Sequence, residues 1–148
     1  MELISLFNSI SGAIIKDCYL FTSPDNQSEI VIFLVKKDDV GKAIGRAGEH
    51  VKDLMSKLQK KIDVIPFSKN LDAFIQNILN TSKNTVKIQN IDVKESRDEI
   101  YPKKTVVISV KPQDRGKAIG KDGSMIKKIK RLVIRHFDVD NVIIDTKN

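Results

Sequence analysis

The sequence predicts an α+β protein built from two like units, each a three-stranded sheet with helices packed on one face. Three observations predict it. The phrase "KAIGKDG" (117–123) repeats an earlier "KAIGRAG" (42–48). A β-branched run of strand length precedes each copy, "EIVIFLVKK" (29–37) and "KTVVISVKP" (104–112). Apolar residues at helical spacing follow each copy: Val51, Leu54, Met55, Leu58 and Ile62 after the first, and Ile126, Ile129, Leu132 and Val133 after the second.

Each remaining element also has a counterpart. Leu3, Ile4, Phe7 and Ile10 mark an amphipathic opening helix, matched by Leu71, Phe74, Ile75, Ile78 and Leu79. A strand follows it, "DCYLFT" (17–22) in the first unit and "TVKIQNIDV" (85–93) in the second. The long strand comes next, then a short helix, the glycine phrase and its helix. A closing strand ends each unit, "IDVIPF" (62–67) and "NVIID" (141–145). The expected units are 1–67 and 68–148. The joint is "PFSKN" (66–70), where Pro66 is expected to end the strand and Asn70 to cap the next helix. So short a joint allows little independent motion.

Composition narrows the function classes. The chain has 148 residues, 41% apolar and 30% charged, which suits a folded domain rather than a disordered one. It has no Trp and only 5% aromatics, so its cores must be mostly Ile, Val and Leu. A single cysteine, Cys18, excludes an internal disulfide and leaves no thiolate cluster for zinc, which fits a reducing compartment. Glu2 stands where a basic signal-peptide region would begin, and no apolar stretch approaches the ~18 residues of a membrane span. A cytoplasmic protein without membrane, metal or cofactor is expected. Two histidines in different units and scattered carboxylates offer no acid–base pair, so a non-enzyme is expected. The net charge of +7 is uneven: residues 1–70 hold 10 Lys and Arg against 9 Asp and Glu, and residues 71–148 hold 16 against 10. A basic surplus of this kind points to a polyanionic partner.

The glycine phrase supplies the chemistry. Glycine opens backbone conformations closed to other residues and lets another chain approach closely. A loop that leads straight into a helix presents its amides, and the positive end of the helix dipole, to a phosphate. Lys42 and Lys117 precede the loops, and Arg46 and Lys121 stand at their tips. A P-loop is excluded by spacing: Gly116 and Gly120 enclose three residues rather than four, and Lys121 is followed by Asp122.

"VGKAIGRAGEHVK" and "RGKAIGKDGSMIK" resemble the V/I-G-x-x-I-G-x-x-G-x-x-I/V core of KH domains. In that family the G-x-x-G loop clamps about four nucleotides of single-stranded nucleic acid. Two strands before the loop and one after resemble the type II order. Tandem repeats over the whole of 1–148 are similar to the NusA-like transcription termination and elongation factors in their short archaeal form, which lacks the N-terminal and S1 domains of bacterial NusA. The resemblance implies a monomer that grips single-stranded, nascent RNA in transcription termination or antitermination, with RNA polymerase as a further partner. It carries RNA binding onto Lys42, Gly45, Arg46, Ala47 and Gly48, and onto Lys117, Gly120, Lys121, Asp122 and Gly123. Two other readings stand beside it: a tandem-KH protein of RNA processing or ribosomal RNA, and a protein-interaction adaptor with weak RNA affinity.

Asp122 departs from the family pattern, which has no acid beside the basic tip. Its carboxylate is expected to accept the amides of the following helix and to repel phosphate, so the first loop should bind more tightly. Ile44 and Ile119 are expected to pack beneath the loops. His50 reads as a solvent-facing helix residue and His136 as a helix cap. The run Lys127, Lys128, Lys130, Arg131 and Arg135 reads equally as a solvated face or as a track for RNA or an acidic partner.

Overall fold

The computed structural model describes residues 2–24, 27–80, 85–97 and 100–146. The chain divides into two compact units, Met1–Lys69 and Asn70–Asn148. In the first unit the order is α1 (Glu2–Ser11), β1 (Ile15–Thr22), β2 (Glu29–Lys36), α2 (Val40–Ile44), α3 (Glu49–Leu58) and β3 (Lys61–Phe67). In the second it is α4 (Leu71–Leu79), β4 (Ile88–Glu95), β5 (Lys104–Val110), α5 (Arg115–Ile119), α6 (Ser124–His136) and β6 (Asn141–Thr146). This is the type II KH order, twice over.

Both sheets place the second strand in the centre. β1 runs antiparallel to β2, and β3 parallel to it, with Phe33 opposite both Cys18 and Val64. The second sheet repeats this, with Ile108 opposite Ile91 and Ile144. A parallel pair cannot be joined by a hairpin and needs a long crossover. The glycine phrase is the middle of that crossover, held between the two helices that return the chain to the sheet edge.

The helices cover one face of each sheet. Phe7 from α1 meets Phe33 of β2 edge to face, ring centroids 4.7 Å apart, within a core that includes Val31, Val35, Ala43 and Leu54. Such a ring pair contributes roughly 0.5–1.5 kcal/mol beyond its burial. Cys18 lies buried in this apolar core and forms no disulfide. In the second unit α4 packs on α6, and Phe74 and Ile78 of α4 and Ile129 and Val133 of α6 are all fully buried. No helix among the described residues is long and apolar enough to cross a membrane.

Asn70 caps α4 as expected: its side-chain oxygen accepts the amide of Ala73 at 2.9 Å. Pro66 does not end its strand. It lies within β3 opposite Val35. β3 is an edge strand of the sheet, the place where a residue without an N–H costs least. β4 starts at Ile88 rather than residue 85, because the amide of Val86 is taken by the Asn80 side chain at 2.8 Å.

Candidate nucleic-acid interface

The first loop is shaped by where α2 must stop. Gly45 adopts φ 81°, ψ 169°, a region essentially confined to glycine, and its amide closes α2 on the Gly41 carbonyl at 2.9 Å. A Cβ at Gly45 would lie 2.7 Å from the His50 ring and 3.0 Å from the His50 amide nitrogen. The loop thus runs directly against the first turn of α3. Arg46, Ala47 and Gly48 form a single tight turn, closed by Gly48 N–H to Gly45 C=O at 3.1 Å. Ala47 (φ 55°, ψ 25°) and Gly48 (φ 74°) are both left-handed. Gly48 is the N-cap of α3, and no side chain caps the helix; the Glu49 amide that opens it donates to the Arg46 carbonyl of the turn. Lys42 and Arg46 are exposed on either side of Gly45.

The second loop repeats this backbone. Gly120 sits at φ 79°, ψ 169°, Asp122 at φ 54°, ψ 28°, and Gly123 at φ 76°. A Cβ at Gly120 would lie 2.7 Å from the Met125 amide nitrogen and 2.9 Å from the Ser124 hydroxyl. Lys117 and Lys121 are exposed. Asp122 does not cap α6, contrary to the sequence-based expectation. Gly123 is the N-cap, and no side chain accepts the first amides. The reason is phase. Asp122 lies one residue too early and is left-handed, whereas a capping residue is extended and accepts from two or three residues ahead. Asp tolerates the left-handed region better than Ala, so Asp122 has a backbone reason to stand where it does.

The surroundings of the two loops differ in charge. In α3, Glu49 and Asp53 offset Lys52 and Lys57, with Lys57 Nζ 2.7 Å from Asp53 Oδ1. The α6 sequence contains Lys127, Lys128, Lys130, Arg131 and Arg135 and no acidic residue, and Lys127, Arg131 and Arg135 are exposed.

Two smaller expectations change. Ala43 and Ala118 are the fully buried residues of α2 and α5, while Ile44 is 38% exposed and Ile119 half-buried. His50 is not a free solvent-facing residue: its Nδ1 lies 2.8 Å from the Lys42 carbonyl oxygen. Nothing in the sequence marks that bond, which joins residues eight apart across a turn. His136 ends α6 and meets the Phe74 ring edge to face, centroids 6.1 Å apart.

Comparison with known proteins agrees with this geometry. The family model of the NusA-like first KH domain matches residues 3–67. "Probable transcription termination protein NusA" of Methanococcus vannielii is 34% identical over 139 residues, 94% of this chain and 72% of that protein. The protein of the same name from Halobacterium salinarum is 28% identical over 141 residues, 95% of this chain and 91% of that one. Among solved structures, the crystal structure of APE1850 superposes with a TM-score of 0.78 at 35% identity, covering 97% of this chain and 95% of that one.

Proposed function

This chain belongs to the NusA family of KH-domain proteins, and from that premise we propose that it grips single-stranded nascent RNA through its two glycine loops, as a factor in transcription termination or antitermination. The observation that carries the reading is the pair of loops with one backbone conformation, each opening a helix N-terminus that no side chain caps, beside exposed cations. A sugar–phosphate strand laid across such a loop meets amide donors, a helix dipole and lysine or arginine together. Gly45, Gly48, Gly120 and Gly123 allow the close approach. Lys42, Arg46, Lys117 and Lys121 supply the charge. Ala47 and Asp122 supply the left-handed backbone of each turn, and the Asp122 carboxylate opposes a phosphate brought to the second. The curated relatives are named for transcription termination, which makes a transcript leaving RNA polymerase the natural substrate.

Titration of single-stranded and duplex RNA by fluorescence anisotropy tests this. Single strands should bind more tightly. With about 4–6 phosphates engaged at ~0.7 counterions each, affinity should fall with salt at a log–log slope of about −3 to −4. Equal affinity for duplex, or a slope near zero, would overturn the reading.

A further inference from the structure

We propose that His50 is a positioning residue that locks the Gly45–Gly48 loop into its phosphate-receiving conformation, a proposal that rests on the RNA-binding reading above. The Lys42 carbonyl, 2.8 Å from His50 Nδ1, can only accept a hydrogen bond, so Nδ1 carries the proton. This carbonyl lies in the last turn of α2, where a helix leaves carbonyls without partners in its own ladder. The chain turns out of the helix at Gly45, and the imidazole supplies the missing donor. The bond therefore spans the loop, tying the end of α2 to the first turn of α3 with Gly45–Gly48 between them. The ring also occupies the space beside Gly45, 2.7 Å from where a Cβ would stand. Its other nitrogen, Nε2, points elsewhere, 3.8 Å from Glu49 Oε1.

The second loop has no such clamp from this position. Met125 stands where His50 stands and has no polar hydrogen to donate. A loop already held in its bound conformation loses less freedom when the ligand arrives and so binds it more tightly. His50 is half-buried, and its donor edge is turned to the protein rather than to solvent. It thus acts on RNA through the loop.

Three variants of the full chain separate this role from direct contact: His50→Met, His50→Asn and His50→Gln. Asn places an amide N–H as far from the backbone as Nδ1, and Gln places one near the position of Nε2. Binding of a single-stranded RNA oligonucleotide is measured well below each variant's unfolding midpoint. His50→Met should weaken it about two- to tenfold, the range a single net hydrogen bond supports. His50→Asn should restore most of the loss, and His50→Gln little of it. In the absence of RNA, nitrogen-15 spectra should show the Nδ1–H form of His50. The amides of Arg46, Ala47 and Gly48 should be sharp in wild type and His50→Asn and broadened in His50→Met.

The opposite pattern, Gln holding wild-type affinity while Asn fails, would overturn the proposal and assign His50 to RNA contact through Nε2. Wild-type affinity in His50→Met, or loop amides unchanged by it, would also overturn it. Should His50→Met fail to fold, the Asn and Gln pair decides. If wild-type protein binds no RNA, the functional reading fails, while the loop amides still report whether the clamp exists.

Discussion

Gly45 at φ 81°, ψ 169° and Gly120 at φ 79°, ψ 169° turn their chains alike, yet the residues that follow them carry different charge. The first loop reads Arg46-Ala47 and the second Lys121-Asp122. Ala47 and Asp122 share a left-handed conformation to within a few degrees, φ 55° and 54°. The backbone is thus fixed by two glycines and by the helix pressed against the first of them, and the tip side chains are free to differ. A protein with two such loops can keep the same grip geometry twice and set the strength of each grip separately.

The largest effect should come from breaking the shared geometry. A Cβ at Gly120 would strike the Met125 amide nitrogen at 2.7 Å, which is backbone and cannot yield. A Cβ at Gly45 meets mainly the His50 ring at 2.7 Å, which can rotate away, with backbone only at 3.0 Å. Both alanines would also be forced into a glycine-only region, at roughly 1–3 kcal/mol. Gly120→Ala should cost about 3 kcal/mol or more, strain and overlap together. Gly45→Ala should cost about 1 kcal/mol less and should also release the His50 bond. Urea unfolding of the full chain measures both. Equal losses under 1 kcal/mol would mean that the loops relax and that the likeness of their backbones carries little constraint.

Charge reversal at the tips comes next. Replacing Arg46 and Ala47 together by Asp should weaken RNA binding by about 1–2 kcal/mol, more than Lys121→Asp, because the second tip already carries a carboxylate. If Lys121→Asp costs more, the acid-free α6 helix rather than the loop tip sets affinity, and the second unit dominates binding. Asp122→Asn sharpens the same comparison. Asn keeps the tolerance for a left-handed backbone and removes only the charge, so RNA affinity should rise by about 1 kcal/mol with stability unchanged. Asp122→Ala gains the same affinity but loses up to about 1 kcal/mol of stability, since Ala is poorly suited to φ 54°. An Asn variant with wild-type affinity would show that this carboxylate lies clear of the strand.

Much of this was legible in the sequence. The glycine phrases, β-branched runs and helical spacings placed in order the twelve α-helices and strands found among the described residues. Each signal repeats over several residues, so an error at one position does not erase it. What escaped depends on one residue's phase or on a contact across a turn. Ile44 was expected inward, but in a five-residue helix a shift of one position exchanges it with Ala43. Asp122 was expected to cap, and missed by one position. Pro66 was expected to stop a strand, but strand position within a sheet is set by partners far along the chain. His50 bonds a carbonyl that becomes available only because Gly45 breaks α2.

The smallest expected difference lies where each short helix is tied to the sheet. Asp39 and Asp114 are counterparts, each ending the turn that leads from the central strand into α2 or α5. Asp39 Oδ2 accepts the amide of Ile14, ahead of β1, at 2.8 Å. Asp114 Oδ2 accepts that of Lys87, ahead of β4, at 3.4 Å. The first distance is that of a good charge-assisted bond, and the second is near the limit at which a bond still contributes. Both sites are exposed, so water competes for each and the net gain is small. Asp39→Ala should therefore cost about 1 kcal/mol and Asp114→Ala a few tenths, read as shifts in urea midpoint at constant slope. The tie bears on function because it fixes the start of the crossover that carries the glycine loop. A looser tie in the second unit would let α5 and its loop open more readily, which amide hydrogen exchange at Lys117 and Ala118 against Lys42 and Ala43 would register. Equal costs for the two aspartates, with equal exchange, would show that the crossover is held by the burial of Ala43 and Ala118 rather than by its polar anchor.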